Sequence, residues 1–382
     1  MKNLLELNLT DKKVILRADF NVTHKDGIII NDEKIRASLE TINYLINKNA
    51  KVIIMSHLGK VKTLEDKKNN TLKIVYDRLK EMLNAKVYFS KDTRGKDLET
   101  IIDNLKCGEV LLMENTRYED LDGKKESSCD LELSKYWASL GDIFVNDAFG
   151  TTHRKHASNY GISLYLESAY GFLVEKEIKN LSILLNPEKP FTVIMGGAKV
   201  DDKISLITSI LERCDYLLLG GGIANTFLSI NNEVGKSLIS KETIDDVKVL
   251  LKKHGDKIIM PSDVVIENNN EVSIKKIEDI NIEDTIYDIG EGTIKFYEDY
   301  LKNSKTIFIN GTVGLYEDKR FEKGTKDLLK IASKSDAKTI IGGGDALASA
   351  HAFNIKDFYH MSTGGGATLN YIATQKLYCE EN

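Results

Sequence analysis

Residues 195 to 205 read MGGAKVDDKIS: an apolar strand closes on Gly196 and Gly197, and Lys199 and Lys203 then stand four apart around a pair of aspartates. In the first turn of a helix the dipole disfavours cations, so lysine there calls for an anionic ligand to offset it. The chemistry on offer is neutralisation of oxyanions by ammonium groups beside bare peptide N–H groups. In an open parallel sheet ligands sit beyond the carboxyl ends of the strands, so the other strand ends are the residues to compare. In the first half of the chain they carry Arg17, Asp19 and Asn21, then His57, then Arg117, then Asn146 and Asp147, with THRKH at 152–156 just beyond. These side chains grip a small anion. In the second half the strands end in glycine: Gly196 and Gly197, 220–222, Gly290, Gly311, 342–344 and 364–366. Amides at helix starts, unobstructed by Cβ, cradle phosphates. The pattern points to a small anion on one half and a nucleotide polyphosphate on the other.

Each element has a plainer reading. One glycine pair before a helix is ordinary turn geometry, and the signal lies in its repetition within one half. Asp147 has a second role open to it, capping a following helix. His153 and His156 have a spacing compatible with a metal, but Arg154 and Lys155 between them would repel one. Neither G-x-x-x-x-G-K-[ST] nor an early G-x-G-x-x-G occurs, which disfavours a P-loop and a dinucleotide site.

The elements that must position these residues are short apolar strands alternating with helical patterns, the signature of parallel strands joined by crossover helices. KVILRADF, KVIIMSHL, KVYF, EVLLMENTRY and DIFVNDAF are strands of the first half; FTVIMGG, YLLLGGG, KIIMPSDVVI, TIYDIG, TIFING, TIIGGGDA and FYHMSTGGGA belong to the second. The fold class expected is α/β, two doubly wound, Rossmann-like parallel-sheet domains. Residues 163–187 carry apolar positions at helical spacing up to Pro187 and read as a linking helix. The expected division is a first domain over 1–165, a hinge helix over 166–187, a second domain over 188–365, and a C-terminal segment over 366–382 returning toward the first domain. Two polar insertions read as a loop (59–71) and a β-excursion (267–285).

A length of 382 residues suits two domains, and 42% apolar with 29% charged residues is the composition of a soluble protein. No apolar run approaches the ~20 residues of a membrane span. The N-terminus lacks the pattern of an export signal, so a cytoplasmic location is expected. Four scattered cysteines read as reduced thiols, and a net charge of −5 argues against a nucleic-acid surface.

Nine strings carry a family resemblance: ADFNV, SHLG, ENTRYED, NDAFGTTHRKHAS, GGAKVDDKI, GGGIANTFL, NGTVGLYE, IGGGDA and STGGGA. In order and spacing the chain resembles phosphoglycerate kinase over essentially its whole length. The resemblance implies a bilobal kinase with a cleft and a hinge helix, in which a phosphoryl group passes reversibly between Mg-ATP or Mg-ADP and the carboxylate of 3-phosphoglycerate, with 1,3-bisphosphoglycerate as the other partner. By resemblance, Lys199 stabilises the moving phosphoryl group, Lys203 holds nucleotide phosphates and Lys34 joins them in catalysis. Asp19, Phe20, Asn21, Lys34, His57, Lys60, Arg117 and Arg154 bind the acceptor. Gly197, Gly222, Asn310, Glu317, Gly343, Gly344, Asp345 and Ala346 line the nucleotide site, with Glu317 on the ribose and Asp345 on Mg²⁺. No nucleic acid or membrane partner is implied, and the family expectation is a monomer.

The chain departs from the family's pattern at named positions. Lys34 and Lys60 stand where the family has arginine, which keeps the charge but loses the bidentate fork. Ala346 replaces a hydroxyl residue, Ile286 a glycine near the expected adenine, and Thr312 and Glu291 prolines. These departures raise two alternatives, a catalytically impaired paralogue that binds metabolite or nucleotide in a regulatory role, and a kinase for another acyl acceptor.

Overall fold

The computed structural model describes residues 1–377. It divides into two compact units, Met1–Ile178 with Lys376 and Leu377, and Lys179–Gln375. Of the C-terminal segment expected over 366–382, residues beyond 377 lie outside the described residues.

Among the described residues the first unit holds a seven-stranded parallel sheet, in the order Lys2–Asn3, Glu167–Tyr170, Ile143–Asp147, Lys13–Ala18, Lys51–Met55, Val110–Leu112 and Val87–Phe89. Its central strands are continuous apolar runs because both sheet faces are covered. Alternation along Lys13–Ala18 sends Val14, Leu16 and Ala18 into one core, with Ile42 of helix Glu33–Asn47 and Leu79 of helix Lys73–Met82. Ile15 points the other way, into a core with Ile53, Phe144 and Trp137.

The second unit, among the described residues, holds a six-stranded parallel sheet: Ile258–Ile259, Tyr216–Leu219, Phe191–Met195, Thr306–Asn310, Lys338–Gly342 and His360–Ser362. Beside it, Glu271–Lys276, Asp263–Asn268 and Thr285–Ile289 form an antiparallel sheet, with Asn269 and Asn270 at φ 51° and 66° making the two-residue turn of its hairpin.

Several elements differ from the sequence expectation. KIIMPSDVVI is two strands in two sheets, parted at Met260 and Pro261, and TIYDIG joins the antiparallel sheet. The helix expected over 163–187 opens instead with the strand Glu167–Tyr170; the helix proper is Phe172–Leu181, and the divide between the units falls inside it. Gly171, between strand and helix, allows the break: a Cβ there would meet Asp147 Oδ1 at 2.2 Å. The loop expected over 59–71 contains the helix Leu64–Asn69, started by a capping box between Thr63 and Asp66. Among the described residues no helix is long and apolar enough to cross a membrane.

Candidate functional site

The end of strand Lys13–Ala18 carries the candidate site of the first unit. Arg17 is fully buried; its Nε donates to Ser158 Oγ at 2.9 Å, its Nη1 to the Ala18 carbonyl at 2.5 Å and its Nη2 to His57 Nδ1 at 3.1 Å. Asp19 accepts from the Lys34 ammonium at 2.8 Å, projected from the first turn of helix Glu33–Asn47. Burial pushes the Asp19 carboxyl up, but Lys34, His57 and Arg17 together outweigh it and lower it to about 2. Burial and then the Arg17 charge hold His57 well below the usual imidazole range; Asp19 opposes, while Arg117 and Lys34 add to the depression.

Arg117, in the turn Thr116–Asp120, donates to Asp120 at 3.0 Å and Ser127 Oγ at 2.8 Å, while its Nε is buried without a partner. Arg154 is exposed, and partial burial followed by the Arg117 charge lowers its pKa against the pull of Asp19. Electrostatics thus link Asp19, Lys34, His57, Arg117 and Arg154 in one cationic cluster, and an orphaned guanidinium N–H within it fits an anion. Asn21 Oδ1 accepts from the Gly59 N–H at 2.8 Å, which fixes the loop that carries exposed Lys60. Phe20, expected among the acceptor's contacts, turns its ring into the apolar core, and its N–H donates to Ser56 Oγ at 2.8 Å. Burial lowers His153 to about 4 and His156 to about 3, and no group of three His, Cys, Asp or Glu side chains able to hold a metal occurs among the described residues.

One residue of this region carries no signal in the local sequence. Glu126 is fully buried and accepts from both the N–H and the hydroxyl of Ser158, linking it to Arg17. A hollow of about 770 Å³ elsewhere on this unit, between Gly27, Asn31 and Arg78, contains none of the expected residues; Asp32 there is engaged by Arg36 and Arg78.

Asp147 takes the capping role: its Oδ1 accepts from the N–H groups of Leu173 at 2.9 Å and Val174 at 3.4 Å, at the start of helix Phe172–Leu181. Burial raises its carboxyl to about 7, against hydrogen bonds from Thr41, Val174 and Leu173. A carboxyl raised on folding binds its proton more tightly in the native state, so its contribution to stability is present at low pH and is lost as pH rises from about 4 through the folded value. Asp147→Asn keeps the accepting oxygen and cannot ionise. It is expected to raise the melting temperature at about pH 8 by more than at about pH 5, measured by circular dichroism; equal shifts at both values would contradict the assignment.

On the second unit a cavity of about 440 Å³ is lined by Gly197, Gly222, Asn225, Ile286, Glu317 and Asp345, among others, a size suited to a small ligand. Close backbone packing runs along the strand ends from its lining residue Gly197. Gly196 and Gly197 donate to the carbonyls of Asn310 and Thr312 at 2.9 and 2.8 Å. Lys203 Nζ donates to the Gly196 carbonyl at 2.5 Å. Gly311, at φ +81°, is required here, since a Cβ would stand 2.2 Å from the Gly196 oxygen and 2.8 Å from Lys203 Nζ. Gly343, at φ +100°, is the same case: its Cβ would lie 2.4 Å from Asn310 Nδ2, which donates to Gly342 at 2.7 Å. Asn310 Oδ1 is buried without a partner. Asp345 stands in the first turn of helix Gly344–Ala352.

The structure corrects three details. The amides of Gly196 and Gly197 continue along the neighbouring strand, so the helix begins only at Ile204 after the turn Asp201–Lys203. Lys199 is therefore exposed in the preceding loop, and Lys203 stands at the position just before the helix without a side-chain capping bond, so the two do not share a helical face. Ala346, expected at the nucleotide, is fully buried in the apolar core. Lys203, Asn310, Gly343 and Gly344 lie outside the cavity lining, while Ile286 forms part of it with Thr285, Tyr287, Lys236 and Leu238. These last four were not read from the sequence; they come from the antiparallel excursion and a polar loop, which lack the strand-end pattern.

A family model described as phosphoglycerate kinase matches residues 4–375. The phosphoglycerate kinases of Listeria welshimeri and Macrococcus caseolyticus are 50% and 49% identical to the chain over 384 aligned residues, covering 98% of it and 97% of each relative. The solved phosphoglycerate kinase from Coxiella burnetii superposes with a TM-score of 0.88 at 35% identity, covering 99% of this chain and 97% of that one. The one from Pyrococcus horikoshii OT3 gives 0.85 at 32% identity, covering 100% and 98%.

Proposed function

The chain belongs to the phosphoglycerate kinase family, and from that premise we propose how its own residues divide the work of moving a phosphoryl group onto a carboxylate. The enzyme is a glycolytic kinase whose family uses ATP or ADP, generally with Mg²⁺. One observation carries the proposal: charged side chains gather on one unit, around Asp19 and His57, whereas the other unit offers a glycine-built cavity. The regulatory paralogue and the alternative acyl acceptor have no comparable observation in their favour.

The acceptor carboxylate is already ionised, so no general base is needed, and catalysis reduces to orientation and charge neutralisation. In this reading Arg117, Arg154 and His57 hold the phosphate of 3-phosphoglycerate, and Asp19, Lys34 and Asn21 orient its hydroxyl and carboxylate. Lys60 extends the positive field. On the second unit Lys203 and the amides at the start of helix Gly344–Ala352 receive the nucleotide phosphates, Glu317 receives the ribose, and exposed Lys199 meets the phosphoryl group in transfer. The donor set at Asp345 fits Mg²⁺, which is commonly bound by one or two carboxylates with phosphate and water completing the shell. When bound, the ion supplies neutralisation of phosphate charge.

A coupled assay with 3-phosphoglycerate and ATP tests the reading; zero turnover under saturating substrates would sink it. Asp345→Asn is expected to raise the Mg²⁺ concentration for half-maximal rate about tenfold, roughly the loss of one charge-assisted contact. An unchanged Mg²⁺ dependence would remove Asp345 from the metal. The reading includes a cytoplasmic monomer, which sedimentation of the full chain tests for the oligomeric state.

A further inference from the structure

We infer that Arg17 locks His57 as the neutral tautomer protonated on Nε2, and that His57 meets the acceptor's anion as an uncharged hydrogen-bond donor. The inference rests on the assignment of the cationic cluster to the acceptor.

The argument begins with the direction of each hydrogen bond. A guanidinium has N–H donors and no acceptor. Arg17 Nη2 lies 3.1 Å from His57 Nδ1, so Nδ1 must present its lone pair, and a neutral ring then carries its proton on Nε2. The same one-way logic fixes Arg17. Its Nε donates to Ser158 Oγ at 2.9 Å, and that hydroxyl donates in turn to Glu126 Oε1, while the Ser158 N–H donates to Glu126 Oε2 at 2.9 Å. Arg17, Ser158 and Glu126 are all fully buried, so the guanidinium has one orientation available. The chain of donors therefore runs from His57 Nδ1 back to an internal carboxylate; the hydrogen bond of the His57 ring among the described residues is the one at Nδ1, which leaves Nε2 for a ligand.

Charge agrees with geometry. The groups that act on His57 are Arg17, Arg117 and Lys34 as cations and Asp19 as the one anion, and burial adds to the cations in disfavouring imidazolium. A neutral donor in such a cluster supplies direction to an oxyanion without further repulsion among the cations. Arg17, Ser158 and Glu126 act here as positioning residues, while His57 touches the substrate.

The test is a long-range proton–nitrogen NMR correlation on the full chain with ¹⁵N-labelled histidine, His57→Asn serving to assign the signal. From about pH 5.5 to about 8.5, His57 is expected to show a protonated Nε2 and a bare Nδ1 throughout. An imidazolium, or an Nδ1-protonated ring, overturns the inference. Addition of 3-phosphoglycerate should shift the Nε2 resonance. A shift elsewhere in the cluster with His57 unmoved overturns the inference while leaving the acceptor site intact; no binding at all removes the acceptor assignment and the inference with it. Because Arg17→Met risks misfolding, Ser158→Ala tests the lock from one step away. It should yield both tautomers and raise KM for 3-phosphoglycerate about tenfold, with KM for ATP unchanged. A single unchanged tautomer in a folded Ser158→Ala chain would show that Ser158 and Glu126 do not position the ring.

Discussion

Lys203→Ala is expected to lower kcat by about 100-fold to 1,000-fold, the usual cost of removing one preorganised donor from developing phosphate charge. The expectation comes from how firmly the ammonium is held: Nζ donates to the Gly196 carbonyl and lies where a side chain at Gly311 would collide with it. A lysine fixed in this way loses little entropy on meeting phosphate, so its removal falls on the transition state more than on the fold. Gly311→Ala offers a second route to the same atoms, since the new methyl would press on both Gly196 and Lys203. Both variants should lose turnover with ATP while 3-phosphoglycerate still binds, which calorimetry of each ligand alone would measure. Full turnover in Lys203→Ala would refute the assignment of this lysine.

The largest expected effect on stability lies under the other unit. Glu126→Leu leaves the buried Arg17 guanidinium without its internal counter-charge, and breaking a buried pair in this way typically costs about 3–5 kcal/mol. For a unit of this size that corresponds to a fall in melting temperature of about 6–20 °C. Arg17→Met combined with Glu126→Leu removes both charges and should recover most of the loss, because the desolvation cost of each ion disappears with the pair. Calorimetric melts of the single and double variants measure this coupling. Additive losses would mean that Ser158 does not connect the two groups energetically.

These two variants also mark what was legible in the sequence. Lys203 stands beside glycines at a strand end, where chain direction and sheet topology dictate that ligands bind, so its type and place could be read together. The cluster of Asp19, His57 and Arg117 follows from the same rule, and so do the parallel strands, whose unbroken apolar runs record burial on both faces. Glu126 follows from none of this. It lies in a polar turn, and only the folding of Ser158 against it makes it internal. Ile286 and Tyr287 have the pattern of another parallel strand, because apolar runs do not state which sheet they join. The strand Glu167–Tyr170 was hidden within a helical pattern for a related reason: a four-residue strand is too short to contradict the spacing around it.

The antiparallel excursion has a consequence for how the cavity's shape can change. Thr285, Ile286 and Tyr287 line the cavity from a strand hydrogen-bonded to Asp263–Asn268, whereas Gly197, Gly221 and Gly222 line it from the segments that follow strands of the parallel sheet. Substitutions on the appended strand can reshape that side of the cavity without disturbing the strand ends of the parallel sheet. The shape of that side of the cavity is therefore separable from the strand ends, open to drift or to engineering while they stay as they are.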